Sequence, residues 1–132
     1  MERLVEILHR GCHSLVVKTT EGIKTFDGRG ISDLYSLWPN GLRGAEVADK
    51  VVGKGAAALM ILGRVSRLHA DIISQPALDL LKGTSVEVEY DQLVTNIINR
   101  KGDGICPVER LCADCGTAEK CLPLITQFIE SR

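Results

Sequence analysis

The stretch AEVADKVVGKGAAALMILG, residues 45–63, contains the most apolar run of the chain and decides how the rest can pack around it. Val47, Val51, the pair Lys54/Gly55, Ala58 and Leu62 recur at the three- to four-residue spacing of an α-helix. The second half of the stretch is apolar on almost every side, which is typical of a helix buried on most faces. We therefore predict a central, buried helix over residues 45–63.

Two glycines and a lysine interrupt this stretch. Gly53 and Gly55 would each cost a helix about 1 kcal/mol relative to alanine, so their presence suggests that another backbone or a ligand comes close. Lys54 between them does not complete a phosphate loop, because that motif needs Ser or Thr directly after the lysine and this chain has Gly55. Lys54 either extends its stem to the surface or points into a ligand cleft, where it would meet a carboxylate or phosphate.

The patterns on both sides of this stretch predict alternating helices and strands. An amphipathic helix opens the chain, two short strands follow as a hairpin, and later segments alternate strand with helix. The segment 92–104 is ambiguous. This order predicts one α/β domain over residues 1–132, a three-layer α/β/α arrangement with a mixed sheet. The predicted helices cover residues 2–10, 30–41 and 75–83, a helix from Pro107 and one near LPLITQFIES; the strands cover 14–20, 22–28, 65–74 and 85–90.

The totals exclude several classes of protein. The net charge is -1 and aromatic residues make up 4%, so the sequence indicates neither a basic surface nor a stacking platform for nucleic acid. The apolar run is far shorter than the roughly 20 residues that a membrane span needs. The N-terminus, MERLVEILHR, lacks the pattern of a secretory signal. We therefore expect a cytoplasmic protein that binds neither nucleic acid nor membranes.

Four of the five cysteines lie in one C-terminal segment, residues 104–132. Within GICPVERLCADCGTAEKC the spacing is C-x5-C-x2-C-x5-C. Clustered thiols in a cytoplasmic chain suggest metal or redox chemistry more than a disulfide framework. Zinc, an iron–sulfur cluster, a reversible disulfide and unconnected thiols all stay open, although the spacing matches neither common iron–sulfur pattern. The predicted metal ligands are Cys106, Cys112, Cys115 and Cys121.

Cys106 also has an interpretation of its own, because Pro107 after it suits the first position of a helix. A thiol at a helix N-terminus has a lowered pKa, and Arg100 and Lys101 nearby would add to that effect. We predict Cys106 as a nucleophile with Glu109 as its proton partner. The alternative is a small, buried residue at a strand-to-helix corner.

Three short motifs carry a family resemblance: VVGKGAAALMILG, ISQPALDLL and IINRKGDGICPVE, in this order over residues 51–109. Together they resemble the uncharacterised family known as domain of unknown function 1893, which sits in the cytidine-deaminase-like superfold. The resemblance covers roughly residues 1–110, and the cysteine-rich end of the chain looks like an addition to it.

The resemblance also carries an expectation about zinc. Active members of the superfold bind zinc through a His/Cys-Ala-Glu motif that opens one helix and a Pro-Cys-x-x-Cys motif that opens the next. The counterparts here would be Gly44-Ala45-Glu46 and the segment 76–80. Gly44, Ala77 and Leu80 cannot bind zinc, so zinc-dependent deamination is not expected. Glu46 is then a solvated glutamate in the first turn of a helix.

Three functions follow as hypotheses. In the first, a cleft of the superfold binds a small anionic or nucleotide-like ligand through Lys54, Ser74, Asn99 and Arg100, since arginine presents a fork that suits carboxylate or phosphate. The second is an enzyme based on Cys106, and the third is a zinc, iron–sulfur or redox-sensing site at the four cysteines. Open sheet edges suggest a homodimer.

Overall fold

A computed structural model describes residues 1–28, 31–99 and 101–131. Its described part contains five strands and six α-helices, with one short 3-10 turn at Asn40–Leu42. A helix and a β-hairpin open the chain, helices and strands then alternate, and two helices end the described part. In chain order they are α1 (Glu2–Arg10), β1 (Leu15–Thr19), β2 (Gly22–Phe26), α2 (Ser32–Leu37), β3 (Glu46–Val52), α3 (Lys54–Leu62), β4 (Arg67–Ser74), α4 (Gln75–Leu81), β5 (Glu87–Val94), α5 (Pro107–Cys112) and α6 (Ala118–Glu130).

The strands form one mixed sheet in the order β2-β1-β3-β4-β5. Strand β1 pairs antiparallel with both β2 and β3, whereas β3, β4 and β5 run parallel to one another. The parallel pairs need crossover connections, which α3 and α4 supply. The predicted α/β class and mixed sheet are therefore confirmed.

Helices cover both faces of the sheet. On one face, Leu4 and Leu8 of α1 pack against Val16 and Ala48. The next residue along β1, Val17, belongs to the larger core on the opposite face, because successive strand residues point to opposite sides. The other five helices contribute to this larger core through Leu34, Leu59, Ala77, Cys112 and Ile125.

The predicted helix over residues 45–63 is wrong in its first half. Residues Glu46–Val52 form strand β3 at the centre of the sheet, and only Lys54–Leu62 is helical. Val47, Ala48 and Val52 are all fully buried, because a central strand is covered on both faces and loses the simple alternation of a surface strand. The apolar residues of β3 therefore matched a helical spacing by coincidence.

The two glycines do mark close approaches, but to side chains. A Cβ added to Gly55 would lie 2.4 Å from Cγ1 of Val108 on α5. A Cβ on Gly53 would lie 3.2 Å from Cγ1 of Ile97 and 3.3 Å from Oε1 of Glu109. The sequence predicted that a backbone or a ligand comes close to these glycines. In the structure, side chains of α5 and of the loop before it occupy that position.

The C-terminal segment is part of the core. Cys112, Ala118, Cys121 and Ile125 are buried in the larger core, and α6 begins at Ala118, where the Thr117 side chain accepts a hydrogen bond from the Lys120 N–H. The segment 92–104, which the sequence left ambiguous, starts with the last three residues of β5. Within the described ranges, no helix has both the length and the apolar composition to cross a membrane.

Candidate functional site

A buried carboxylate joins three separated segments on the helix-rich side of the sheet. Glu109 of α5, which is 3% exposed, accepts a hydrogen bond from the Lys54 N–H at 2.7 Å. It also accepts one from the Ser74 hydroxyl at 3.0 Å and one from the Ile97 N–H at 2.6 Å. We name these four residues the Glu109 node. The node satisfies a backbone N–H at the start of α3 that would otherwise have no partner within its helix.

Two residues predicted to bind a ligand have partners inside this node. The Ser74 hydroxyl donates to Glu109 and accepts from the Ala77 N–H at 3.2 Å, so it also caps α4. The Lys54 ammonium donates to the Ala113 carbonyl at 3.1 Å. Both residues are buried. The structure thus brings Lys54, Ser74 and Glu109 together and gives each of them a partner within the protein.

The other predicted residues of this region lie apart from the node's interior. The half-buried Asn99 side chain donates to the Asp103 carboxylate at 2.9 Å and accepts from the Asp103 N–H at 3.3 Å. Its observed role is to close a loop. Arg100 lies outside the described residues. Cys106 is half-buried and is the N-cap residue of α5, the position that the sequence predicted.

Three of the four C-terminal thiols meet between α5 and α6. We name Cys112, Cys115 and Cys121 the thiol cluster, because Cys112 and Cys121 are buried in the larger core, Cys115 packs against it, and Cys121 interacts with both other thiols. Burial raises the pKa of Cys112, although its hydrogen bond with Cys121 opposes this effect. Burial and then the two neighbouring thiols raise the pKa of Cys121. No disulfide bond links any of the five cysteines, all of which lie within the described ranges.

A second polar cluster lies on the opposite side of the sheet, under α1. Strands β4 and β5 are in parallel register with His69 beside Glu89. The ring of His69 lies 2.9 Å from Oδ1 of Asp71 through Nε2 and 3.1 Å from Oε2 of Glu89 through Nδ1. Asp91 approaches the same Nε2 at 3.8 Å. From α1, Nε2 of His9 reaches both oxygens of Asp71, at 2.9 and 3.0 Å.

These five side chains line or adjoin an open groove of about 610 Å³, which we name the His–carboxylate groove. The His69 side chain is 4% exposed, whereas that of His9 is 49% exposed. Burial lowers the pKa of His69, but the hydrogen bonds to Asp71 and Glu89 and the charges of Asp91 and Asp71 prevail, and the pKa is raised. Buried Asp49 nearby has a pKa raised to about 7, by burial and then by the charge of Asp71.

The groove also holds the one metal-compatible group found in the described part of the chain. Ligand atoms of His69, Asp71 and Asp91 all lie within 4.8 Å of one another. The four C-terminal cysteines do not form such a group within the described residues. Cys106 lies at the start of α5 and Cys112 at its end, and zinc or iron–sulfur binding by the four cysteines stays a prediction.

Sequence reasoning missed the groove. It gave His69 no functional role, and the predicted strand over residues 85–90 ended before Asp91. The available signal was a repeated spacing: His69-x-Asp71 on one predicted strand and Glu89-x-Asp91 at the end of the next. Residues two apart on a strand share a face. Two neighbouring parallel strands that each carry this spacing on the same face therefore bring four polar side chains together.

The proposed counterpart of the first zinc motif is also wrong in its local structure. Gly44 has a φ of +70° and precedes β3, and Glu46 is the first residue of that strand. Glu46 therefore opens no helix, and it pairs instead with Lys18 at 3.8 Å and Arg67 at 3.3 Å. The second counterpart, around Pro76, does lie at the start of α4.

Comparison with known proteins identifies the family. The family model described as a domain of unknown function (DUF1893) matches residues 3–129. The chain is similar to the crystal structure of a DUF1893 family protein, TM1506, from Thermotoga maritima, with 26% identity and a TM-score of 0.87 over 96% of this chain and 87% of that one. No curated protein matches the chain. Because the match extends to residue 129, the cysteine-rich segment lies within the family's domain and is not an addition to it. The chain belongs to the DUF1893 family.

Proposed function

We propose that this protein binds a divalent transition-metal cation in the His–carboxylate groove. His9, His69, Asp71 and Asp91 are the proposed ligands. The observation that carries the proposal is the convergence of two imidazoles and two carboxylates, from α1, β4 and β5, at one open surface. Imidazole nitrogen with carboxylate oxygen is a donor set that suits Zn²⁺ and its neighbours in the first transition row.

The charge around the groove supports a cation rather than an anion. Carboxylates outnumber the cationic groups along it, and a single imidazole, His69, lies near three of them. Arg67, at the margin of the groove, is already paired with Glu46 and Glu87. A divalent ion at this position would neutralise carboxylates that have few cationic partners in the protein.

The openness of the groove supports an exchangeable site. Structural zinc sites are closed by four protein ligands, whereas sites that act on a substrate keep a position for water or for that substrate. Here the ligand atoms face a groove of about 610 Å³ rather than a sealed cavity. His9 lies outside the group of three residues whose ligand atoms are mutually close, so it is the proposed ligand that can leave. A cation held by His69, Asp71 and Asp91 would then be able to hold a water molecule or a small anionic ligand in the fourth position. The sequence predicted an anionic ligand near Lys54, whereas this proposal places such a ligand in the His–carboxylate groove.

We also propose that the fold belongs to the cytidine-deaminase-like superfold. The support is the family resemblance together with an antiparallel hairpin joined to three parallel strands. The proposed cation site lies on strands and on α1, so it is separate from the helix-opening zinc motifs of the deaminases. Superposition on a zinc-containing deaminase tests this: a different strand order or crossover pattern would remove the assignment.

Metal binding is tested by titrating chelator-treated protein with Zn²⁺ in a calorimeter, with Mn²⁺ as a second ion. The unchanged chain is expected to bind one Zn²⁺. Asp71→Asn and His69→Gln are expected to weaken binding at least about tenfold, the scale of losses at metal sites. The matched control is Asp27→Asn, which alters an isolated His–Asp pair, His13 with Asp27 at 2.6 Å, and is expected to leave binding unchanged.

Two outcomes would contradict the proposal. The first is that the chelator-treated chain takes up no cation, in which case the groove is an ion-pair network that holds α1 on the sheet. The second is that binding survives Asp71→Asn but is lost in Cys112→Ala, which would place the ion at the thiol cluster. Circular dichroism of each variant separates lost binding from lost folding.

A further inference from the structure

The three thiols of the thiol cluster differ in exposure in a way that suggests an order of reaction. Cys112 and Cys121 are fully buried, whereas Cys115 is half-buried in the loop between α5 and α6. The Cys115 N–H donates to the Cys112 carbonyl at 3.0 Å, so the loop is a tight turn that holds both residues near α6. Cys121 is the neighbour that the other two thiols share.

We propose that Cys115 and Cys121 form a site of thiol–disulfide exchange with a low-molecular-weight disulfide. Cys115 is the entry thiol because it is the least buried member of the cluster. Cys121 is the resolving thiol because it is adjacent to Cys115 and shielded from solvent. The site lies on the side of the sheet opposite to the His–carboxylate groove, so this proposal is independent of metal binding there.

The exchange balances in two steps. The Cys115 thiolate attacks one sulfur of the small disulfide, whose S–S bond breaks, and one small thiolate leaves with the bonding pair. The Cys121 thiol then gives its proton to that thiolate and attacks Sγ of Cys115, which breaks the mixed S–S bond and releases the second small thiolate. This thiolate takes up from solvent the proton that Cys115 lost on ionising. Two cysteine thiols are oxidised by two electrons, and one small disulfide is reduced to two thiols.

The surroundings of the cluster explain why the pair would respond to oxidant slowly and specifically. Only thiolates attack disulfides, and burial favours the neutral thiol at Cys121. Attack by Cys121 becomes favourable once Cys115 carries a mixed disulfide next to it, because that step is intramolecular. A buried thiol with no mixed disulfide beside it cannot be oxidised by this intramolecular step.

The experiment exposes the purified chain to glutathione buffers of increasing oxidised fraction, blocks free thiols with an alkylating reagent, and maps linkages by mass spectrometry. The expected product is an intramolecular Cys115–Cys121 linkage. Cys12, an exposed thiol outside the cluster, is the internal control and is expected to carry only a glutathione adduct. Cys12→Ser should leave the rate of linkage unchanged, whereas Cys115→Ser should lower the rate of oxidation of Cys121 at least tenfold.

Several results would overturn this assignment. Glutathione adducts without any intramolecular linkage would exclude the exchange site. A linkage that uses Cys106, or one between two chains, would exclude the proposed pair. A Cys112–Cys121 linkage that forms as fast in Cys115→Ser as in the unchanged chain would remove Cys115 as the entry thiol. Cys115 is half-buried, so its serine variant is expected to fold, and circular dichroism checks this.

Discussion

The Glu109 node and the His–carboxylate groove are both clusters of charged and polar groups drawn from distant parts of the chain, but they differ in how their charges are satisfied. In the node, one buried carboxylate meets three donors at 2.6–3.0 Å. In the groove, one imidazole lies near three carboxylates, beside open solvent. A buried carboxylate with a full set of donors stabilises a fold, whereas exposed carboxylates with too few cations are available to bind one.

Removing Glu109 tests the structural side of this comparison and has the largest expected effect. Glu109→Ala leaves the buried Lys54 N–H, the buried Ser74 hydroxyl and the half-buried Ile97 N–H without their acceptor. We expect the free energy of unfolding to fall by about 3–5 kcal/mol, because each buried donor left without a partner costs about 1–3 kcal/mol. Urea denaturation followed by circular dichroism measures this.

Two companion variants make the Glu109 result specific. Glu109→Gln keeps the shape and one acceptor oxygen, so it should lose less stability than the alanine variant. Glu21→Ala removes an exposed carboxylate in the β1–β2 turn and should change stability by less than about 0.5 kcal/mol. If Glu109→Ala were as stable as Glu21→Ala, the node would not hold these segments together.

The packing between α3 and α5 next to the node gives the second prediction. Gly55→Ala puts a Cβ 2.4 Å from Cγ1 of Val108, so α3 and α5 must separate, and we expect a loss of about 1–3 kcal/mol. Gly116→Ala is the matched control, because nothing lies within 4 Å of the added Cβ. Thermal denaturation compares the two. Equal stability of both variants would show that α5 can shift away at little cost.

The thiol cluster predicts a loss of stability in alkaline solution. Cys112 and Cys121 have pKa values raised above the ordinary 9.0, so the folded chain keeps protons that the unfolded chain releases. Their contribution is complete below pH 9 and is lost as the pH rises through the folded values, with a slope of up to about 1.4 kcal/mol per pH unit for each thiol.

Urea denaturation between pH 7 and pH 10.5, with a reductant present, measures this slope. Tyrosines and lysines also titrate in that range, so the unchanged chain is compared with Cys112→Ala/Cys121→Ala. The double variant is expected to show a shallower decline above pH 9. An identical decline in both proteins would mean that these thiols ionise as readily in the folded chain as in the unfolded one.

The smallest expected effect belongs to the metal-free groove. His9→Ala removes the contact between α1 and Asp71, and we expect a loss of about 0.5–1 kcal/mol because the pair is exposed to solvent. Added salt should reduce this loss. His13→Ala is the control, because His13 lies in the loop between α1 and β1, pairs with Asp27 and does not line the groove. A loss from His9→Ala as large as that of Glu109→Ala would make the groove a structural element like the node.

The sequence predicted the elements whose patterns are local. The opening helix, the hairpin, β4, α4 and the start of α5 at Pro107 were all assigned to the right type. Strand β3 was not, because its central position buries both faces and leaves no alternation to read. Cys106 was correctly expected at a helix start, since proline after it marks that position.

The candidate sites depended on contacts that no local pattern encodes. His9 and Asp71 are 62 residues apart, and Lys54 and Glu109 are 55 residues apart. The sequence identified Lys54, Ser74 and Glu109 as unusual but assigned them to a ligand and to catalysis. In the folded chain they bind one another, because burial removes water and each polar group must find a partner nearby.

By itself, the sequence determined the α/β class, the alternation of elements and the resemblance to the family, since hydrophobic spacing and turn residues act over a few neighbours at a time. The tertiary structure alone decided which polar side chains meet. The parallel register of β4 with β5 places His69 beside Glu89, and the position of α5 places Glu109 at the start of α3. Hydrophobic burial is nondirectional and tolerates many arrangements, whereas hydrogen bonds and metal ligands require particular atoms within about 3 Å.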